Sequence, residues 1–376
     1  MKHVRIAVAA ALVAALLAGA GCSAKSADSG APAKDAKADY KIGVVSPAFS
    51  ASEDEYRGGE KVVAKYGKQI KHLVLPEDFT AEQETAMSQI EGLAADPQVK
   101  AIVIAAGYTG ILPAIQKIKE QRPDMKVITA PIWDDPDQMA KYIDLALDTD
   151  AVKRGINIVD KSQKMGAKTL IHYSFQSHMA KELLAQRRDV MKAEAEKRGM
   201  KFVFIMTPDP NTEADGAMQQ FLKEDLPKQF AKYGKDTAVF GSNCGMQDVI
   251  IAEVMKAKAI MPEQCCPTPT QGYPAALGIE VPAKGLDTAA LNEQIKAKVA
   301  EGGNAGRMST WPIPLGVFFP EYGVEVAKAM VEDGFDGKDP AKLAAMAEKV
   351  AGVPVSFDKY MGKDNYYMII MDSVYY

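Results

Sequence analysis

The stretch Ala101-Ile102-Val103-Ile104-Ala105 contains no polar residue, and it indicates the fold class. A strand with one face in water alternates apolar and polar side chains, whereas a strand covered on both faces does not. The amphipathic segment 111–121 follows, and a second short apolar strand is predicted at 126–130. This order of strand, helix and strand predicts a parallel βαβ unit with helices on the faces of its sheet.

The same alternation continues on both sides of this unit. Before it, the pattern predicts strands at 40–45 and 73–75 and helices at 53–66 and 81–95, and a further strand near 143–147 comes after it. A second series starts at residue 151, with predicted strands at 169–173, 202–206 and 238–241 and helices at 151–165, 178–198, near 215–233 and at 247–258. Because residues 40–376 exceed the usual size of one core, we expect an α/β protein with two doubly wound parallel-sheet lobes.

A hinge between the lobes is predicted at 308–314. This segment contains Trp311-Pro312-Ile313-Pro314, in which each proline biases the preceding residue toward extended backbone. Helices at 322–333 and 340–350 and a final strand at 367–371 follow. We therefore expect an N-terminal lobe of residues 40–150 plus about 313–352, and a C-terminal lobe of residues 151–312 plus about 353–376.

The N-terminus has the layout of an export signal. Lys2 and Arg5 precede an apolar run over 6–21, which is too short for a membrane span of about 20 apolar residues. The run ends in LAGAGC, residues 17–22, which resembles the lipobox of bacterial lipoproteins, although Gly19 stands where leucine is usual. The resemblance implies removal of residues 1–21 and lipidation of Cys22. The alternative is an ordinary signal peptide that leaves Cys22 as a thiol.

Residues 22–39 are poor in apolar side chains and are predicted to be a flexible tether. The formal net charge is −4, and the basic residues are not clustered along any segment. Both observations argue against nucleic acid as a partner. No second apolar run approaches membrane-spanning length. We therefore expect the protein to be held at a membrane by its N-terminal lipid.

The layout resembles type I periplasmic binding proteins of the ribose-binding and basic-membrane-protein kinds. Four stretches are more closely similar to a family of bacterial lipoproteins catalogued as a domain of unknown function. These stretches are SEDEYR at 52–57, HYSF at 172–175, EQCCP at 263–267 and MIIMD at 368–372. The resemblance implies the binding-protein fold, a location in the cell envelope and an ABC transporter as partner, but it implies no activity.

Ligands of doubly wound sheets collect beyond the carboxyl ends of the strands, and the candidate ligand-binding residues follow from that rule. The first lobe contributes Ser46, Phe49, Tyr56, Tyr108, Trp133 and Asp134. The second contributes Ser174, Phe175, His178, Arg188, Asn243 and Thr268, and Trp311 lies at the hinge. Tryptophan rings suit sugar faces and flat rings, but either tryptophan could instead fill a core or a hinge seam.

Three polar candidates have equally ordinary structural roles. In sugar-binding relatives a polar residue after the third strand of the second lobe contacts ligand, and Asn243 has that position, although asparagine also caps helices. The same relatives place an arginine near the start of the long second-lobe helix, whereas Arg188 lies several residues further in and could be a solvated helix residue. Asp134 could bind ligand hydroxyls or simply form a turn.

The cysteines leave several alternatives open. If Cys22 is acylated, Cys244, Cys265 and Cys266 remain, and an extracytoplasmic location would permit a disulfide between Cys244 and one of the adjacent pair. A bridge within the pair is rarer, and separate buried thiols are common. We predict no metal site and no cofactor, because there is no CxxC pair and the chain beyond the tether has only His72, His172 and His178.

The leading hypothesis is a monomeric solute-binding lipoprotein that closes on a small molecule, with a sugar or nucleoside favoured, and delivers it to the permease of an ABC transporter. A ligand-binding sensor that reports to a receptor or kinase would use the same fold. An envelope enzyme using Cys244 or His178 is a third possibility. No GxSxG, Walker A, GxGxxG or HExxH motif supports it.

Overall fold

The strands of the protein, numbered in chain order, form the sheets on which the helices pack. They are β1 (Lys41–Ser46), β2 (Ile70–Val74), β3 (Val99–Gly107), β4 (Lys126–Ile132), β5 (Leu145–Thr149), β6 (Thr169–Ser174), β7 (Lys201–Met206), β8 (Thr237–Gly241), β9 (Ser309–Thr310), β10 (Val355–Lys359), β11 (Tyr366–Met371) and β12 (Val374–Tyr375). This computed structural model describes residues 40–210, 212–214, 216–282 and 285–376. The predicted signal peptide, Cys22 and the tether lie outside the described residues.

Helices follow most of the strands, as the sequence pattern predicts. They are α1 (Glu53–Tyr66), α2 (Gln83–Ala95), α3 (Leu112–Gln121), α4 (Pro136–Met139), α5 (Ala151–Lys164), α6 (Gln176–Met179), α7 (Glu182–Lys197), α8 (Ala217–Tyr233), α9 (Gln247–Ala257), α10 (Tyr273–Leu277), α11 (Thr288–Glu301), α12 (Leu315–Glu332) and α13 (Pro340–Ala351). Within the described part of the chain, none of them is long and apolar enough to span a bilayer.

The strands form a mostly parallel sheet, a smaller parallel sheet and a two-stranded antiparallel pair. The first sheet has the order β10-β11-β5-β4-β3-β1-β2, and within it only β10 pairs antiparallel with its neighbour. The second sheet has the order β7-β6-β8 and is parallel throughout. It is extended by a parallel bridge between Ala238 and Ile260, while β9 pairs with β12.

Helices cover both faces of each sheet. On the first sheet, α1, α12 and α13 enclose one apolar core, and α2 and α3 enclose another on the opposite face. On the second sheet, one core lies under α8, α9 and α11 and the other under α5 and α7. The fold is therefore the predicted α/β arrangement of two doubly wound, mostly parallel sheets.

Helices α1 and α12 approach each other closely at two glycines. A Cβ atom on Gly58 would lie 2.5 Å from the carbonyl oxygen of Gly316, and one on Gly316 would lie 2.6 Å from Cδ of Glu55. Any side chain at these positions would push the two helices apart. The pair fixes the N-terminal end of α1, which follows β1 and carries Asp54 and Tyr56.

The C-terminal strands require a correction to the predicted lobes. We expected residues 353–376 in the second lobe, but β10 and β11 belong to the first sheet, where β11 pairs parallel with β5. The reason is that the run Tyr366–Met371 is apolar throughout, so it favours a position in a sheet whose two faces are both covered by helices. Only the last residues, in β12, join the side of the second sheet.

Two local predictions also differ from the structure. The predicted helix 178–198 is two helices, α6 and α7, because the backbone of Lys181 is extended, with ψ at 119°. The predicted hinge strand at 308–314 is reduced to the two residues of β9. Beyond Thr310 the chain enters the core of the first sheet rather than continuing as a strand.

Candidate functional site

The carboxyl ends of the parallel strands define two edges where ligands of such sheets bind. We call the loops after β1 to β5 the first edge and the loops after β6 to β8, together with residues 261–272, the second edge. Most of the predicted ligand-binding residues lie in these loops.

Three aromatic rings form a cluster at the first edge. The ring of Tyr108 lies between those of Phe79 and Trp133, with centroid distances of 4.8 Å on each side. Phe79 follows β2, Tyr108 follows β3 and Trp133 follows β4. Trp133 is 56% exposed although it is one of the chain's largest apolar side chains. An exposed ring packed against Tyr108, which itself packs against Phe79, is a preformed apolar surface.

The aromatic cluster lines a cavity of about 520 Å³. Its wall consists of Glu77, Asp78, Phe79, Thr80, Tyr108, Thr109 and Trp133. The volume lies within the range of roughly 300–1,000 Å³ that small-molecule sites occupy. Phe79 was missed from the sequence, although the rule of strand carboxyl ends would have found it after β2.

Asp134 holds the loop next to the aromatic cluster. Its carboxylate accepts hydrogen bonds from the backbone N–H groups of Gly110, at 2.8 Å, and Leu112, at 3.0 Å. These two bonds fix the start of α3 against the end of β4. The structure therefore favours a local structural role for Asp134 over a role in ligand binding.

The other predicted residues of the first edge surround the start of α1. Ser46 is buried, and its hydroxyl lies 2.7 Å from Nε2 of His72. Exposed Phe49 meets Tyr56 edge-to-face, with centroids 5.7 Å apart. Burial lowers the pKa of His72, so its imidazole is neutral near pH 7.

At the second edge, a chain of hydroxyls leads to an imidazole. The hydroxyls of Ser174 and Ser242 lie 2.8 Å apart, and Nδ1 of His178 lies 3.1 Å from the Ser242 hydroxyl. Burial and the nearby cations Lys181 and Arg187 lower the pKa of His178. Phe175 is fully buried with its ring 4.1 Å from that of His178, so it packs beneath the site rather than lining it.

The predicted arginine of this edge, Arg188, and its neighbour Arg187 lie in different environments. Arg188 pairs with Asp189 and lies over Phe204 at the surface of α7. Arg187 is instead 3% exposed, with its guanidinium over the ring of Phe240 at 5.0 Å and its Nε without a hydrogen-bond partner. No carboxylate of the described residues forms an ion pair with it, and desolvation lowers its pKa to about 10.

Asn243 acts as a cap in this structure. Its side chain accepts a hydrogen bond of 2.8 Å from the N–H of Gly245 at the turn before α9. Its side chain is partly exposed, so capping leaves its amide group free to contact a solute.

Trp311 has no exposed surface and lies in the core of the first sheet with Ile313 and Val317. The prediction that it contacts ligand is therefore wrong for this conformation, because the chain turns inward after β9. One face of the indole lies 5.7 Å from the guanidinium of Arg154.

Arg154 belongs to a buried ionic network. Its Nε and Nη2 donate to the same oxygen of Glu263, at 2.8 and 2.6 Å, and Lys161 pairs with the other oxygen. Arg154 also donates to the carbonyl oxygens of Gln264 and Cys265. The network fixes the loop that carries the adjacent cysteines.

The three remaining cysteines converge at the second edge as free thiols. Sγ of Cys244 lies 3.3 Å from Sγ of Cys265 and 3.5 Å from Sγ of Cys266. Hydrogen bonds from both neighbours lower the pKa of the Cys244 thiol, whereas the pKa of Cys265 is raised and that of Cys266 rises to about 11. The sequence predicted that Cys244 approaches one of the pair, but not that it approaches both.

A contact joins the start of α1, directly after the first edge, to the second edge. The Thr270 hydroxyl lies 3.2 Å from a carboxylate oxygen of Asp54 in α1, and it also lies 2.6 Å from the hydroxyl of buried Thr268. Desolvation and the neighbouring Glu55 raise the pKa of Asp54 to about 7. Thr268 thus supports the contact from within the loop, and Asp54 is a residue that the sequence reasoning missed.

Comparisons with solved structures agree with the two-sheet architecture. A proposed transcriptional regulator from Clostridium difficile 630 is 34% identical, with 90% of this chain and 99% of that chain covered and a TM-score of 0.85. A sugar ABC transporter protein from Actinomyces odontolyticus is 12% identical over 89% of this chain and 95% of that chain, with a TM-score of 0.55. A periplasmic ribose ABC transporter protein from Conexibacter woesei is 13% identical over 90% and 92%, with a TM-score of 0.50.

The sequence comparisons identify the family. An uncharacterized protein of Treponema pallidum (strain Nichols) is 33% identical over 179 residues, which are 46% of this chain and 81% of that protein. A family described as Protein of unknown function (DUF3798) matches residues 40–309, which include both edges. The chain therefore belongs to the DUF3798 family, and its fold is that of the type I periplasmic binding proteins.

Proposed function

We propose that this protein is a lipid-anchored extracytoplasmic solute-binding protein that captures a small polar molecule between its two edges and presents it to an ABC transporter. A sugar or a nucleoside fits the site best. The proposal rests on the aromatic cluster of Phe79, Tyr108 and Trp133, because a soluble protein rarely leaves a large ring exposed beside two others without a partner for it.

The chemistry of the first edge favours a hydroxylated ligand with an apolar face. The indole of Trp133 offers a flat surface for the C–H face of a sugar or for a nucleobase. The carboxylates of Glu77 and Asp78 line the same cavity and accept hydrogen bonds from hydroxyl groups. A ring surface and a few acceptors in one cavity are the usual elements of a small-molecule site.

The second edge supplies groups of the complementary kind. Ser242 and His178 form a hydrogen bond with each other at this edge, and the buried guanidinium of Arg187 carries a positive charge that no described carboxylate pairs with. A solute that contacts both edges would stabilise the closed arrangement of the two sheets, which a membrane partner could recognise. The contact between Asp54 and Thr270 supports this, since it already joins the start of α1 to the second edge.

A binding screen tests the proposal. The full-length protein is heated with sugars, nucleosides, amino acids and vitamins, and its melting temperature is followed. A ligand at 100 times its dissociation constant stabilises the folded state by about 2.7 kcal/mol, which gives a measurable shift. We expect a shift with a sugar or nucleoside that Trp133→Ala abolishes. A shift that is unchanged in Trp133→Ala would contradict the placement of the site.

Two further measurements test the anchor and the partner. Replacing Cys22 by alanine should move the protein from the membrane fraction to the soluble fraction if the cysteine is lipidated. The ligand-bound protein should be captured by permease subunits of an ABC transporter. Capture by a receptor or kinase instead would support the sensor role, and turnover of the bound compound would support an enzyme.

A further inference from the structure

The three free thiols at the second edge form a cluster that the proposed function does not use. Cys244 follows β8. Cys265 and Cys266 follow Ile260, which forms a parallel β-bridge with Ala238 of β8. All three Sγ atoms lie within 4.8 Å of one another. Two loops that are separated in sequence therefore bring three soft donor atoms to one point.

The spacing of the sulfur atoms suits a shared metal ion. Two thiolates bound to one zinc ion at about 2.3 Å each lie roughly 3.8 Å apart in tetrahedral geometry. The separations of 3.3 and 3.5 Å from Cys244 are close to that value. A disulfide would join Cys244 to only one of the two cysteines, although their sulfur atoms lie at nearly equal distances from it. The third sulfur would then have no partner.

The charges around the cluster favour the anion that such a site would form. Three thiolates around a divalent or monovalent ion carry a net negative charge, which burial would disfavour unless a cation compensates it. The guanidinium of Arg187 is buried, interacts electrostatically with Cys265 and Cys266, and has no ion-pair partner among the described residues. Arg154 holds the Cys265 carbonyl oxygen at 2.8 Å and adds positive charge on the same side.

Access to the cluster is open on one side. Cys265 is buried, Cys244 is partly exposed and Cys266 is exposed. An ion could enter past Cys266 and would keep one coordination position facing the edge. Three protein ligands with an open position are the arrangement of zinc sites that also bind a small molecule.

We propose that Cys244, Cys265 and Cys266 bind one thiophilic d10 cation, Zn²⁺ or Cu⁺, through three thiolates. Soft sulfur ligands select these ions over Mg²⁺ and Ca²⁺, which prefer oxygen. The site does not depend on the proposed solute, so the metal and the solute can be tested separately.

Cadmium titration tests this site, because Cd²⁺ bound to thiolates gives an ultraviolet charge-transfer band. The full-length protein is reduced, freed of metal and titrated with Cd²⁺ and then with Zn²⁺ in competition. We expect one ion per chain. Cys22→Ser removes the chain's other cysteine sulfur, which lies outside the cluster, and should leave the uptake unchanged.

Each of Cys244→Ser, Cys265→Ser and Cys266→Ser should lower the band by about one third and weaken binding at least tenfold, since each removes one of three ligands. Cys266 is exposed, so its variant tests the site even if Cys265→Ser fails to fold. Uptake that is equal in the parent and in the Cys244→Ser and Cys266→Ser variants would overturn the proposal. So would a reduced parent that binds no Cd²⁺ and reoxidises to a Cys244–Cys265 or Cys244–Cys266 disulfide.

Discussion

The chain's two tryptophans occupy opposite environments, and this difference separates stability from binding. Trp311 is fully buried in the core of the first sheet, whereas Trp133 projects from the first edge. Trp311→Ala should lower the free energy of unfolding by about 3–5 kcal/mol, because it leaves a large cavity. Trp133→Ala should change it by no more than about 1.5 kcal/mol, because it removes the packing of one exposed ring on Tyr108. Urea denaturation of both variants checks this, and equal losses would contradict it.

The buried carboxylate of Glu263 gives a second prediction at this scale. Glu263→Gln leaves Arg154 and Lys161 buried without their counter-ion, so we expect a loss of about 3–5 kcal/mol in unfolding free energy. Glu301→Gln is the control, because its pair with Lys298 is exposed and should contribute less than about 1 kcal/mol. Chemical denaturation of the two variants should separate them clearly, and similar midpoints would show that the network does not stabilise the fold.

Sequence reasoning found residues by their place after a strand but could not tell which way they point. Tyr108 and Trp133 were predicted from strand ends, and the structure places both in the aromatic cluster. Arg187 and Arg188 are neighbours on one helix, and only packing decides that Arg187 is the buried one. Cys244 lies near both other cysteines because of the conformation of the loop that carries Cys265 and Cys266. The number of residues between the cysteines does not predict that conformation.

At the scale of elements, the packing of α1 on α12 depends on glycine. Gly58→Ala should cost about 1–3 kcal/mol in unfolding free energy, because its Cβ would meet the backbone of Gly316 and part the helices. Gly92→Ala in α2 is the matched control, since no atom lies within 4 Å of its Cβ position. It should raise stability by about 0.5–1 kcal/mol. Thermal unfolding compares them, and a shift of the same sign in both would contradict the packing argument.

The elements themselves were largely readable from periodicity, and the failures have physical causes. The long apolar strands and α1 follow from the sequence pattern, with α1 at the predicted bounds. Strand β10 is an edge strand whose residues are mostly exposed, so it lacks an apolar signal. The division into α6 and α7 was missed because Lys181, which leaves the helical conformation, is neither glycine nor proline.

At the scale of the whole molecule, the burial of Asp54 where α1 meets residues 261–272 should make stability depend on pH. Burial raises the pKa of Asp54 to about 7 in the folded protein, whereas an unfolded aspartate titrates near about 3.9. The folded state therefore holds the proton more tightly, and this contribution is complete below about pH 4 and is lost as the pH rises through about 7.

Asp54→Asn should remove that part of the dependence. Between about pH 5 and pH 8 the unfolding free energy of the parent should fall more steeply than that of Asp54→Asn. Asp189→Asn, which changes an exposed carboxylate on α7, should follow the parent. Parallel profiles for the parent and Asp54→Asn would show that Asp54 does not titrate in this range.

The central claim concerns both edges, so calorimetric titration of one solute into edge variants tests it most directly. A solute found by thermal shift is titrated into the parent, Trp133→Ala, Ser242→Ala and Met361→Ala. Met361 is 77% exposed before β11, at the opposite end of the first sheet. The account predicts at least tenfold weaker binding in both edge variants and parent affinity in Met361→Ala. Parent affinity in either edge variant would contradict binding between the two sheets.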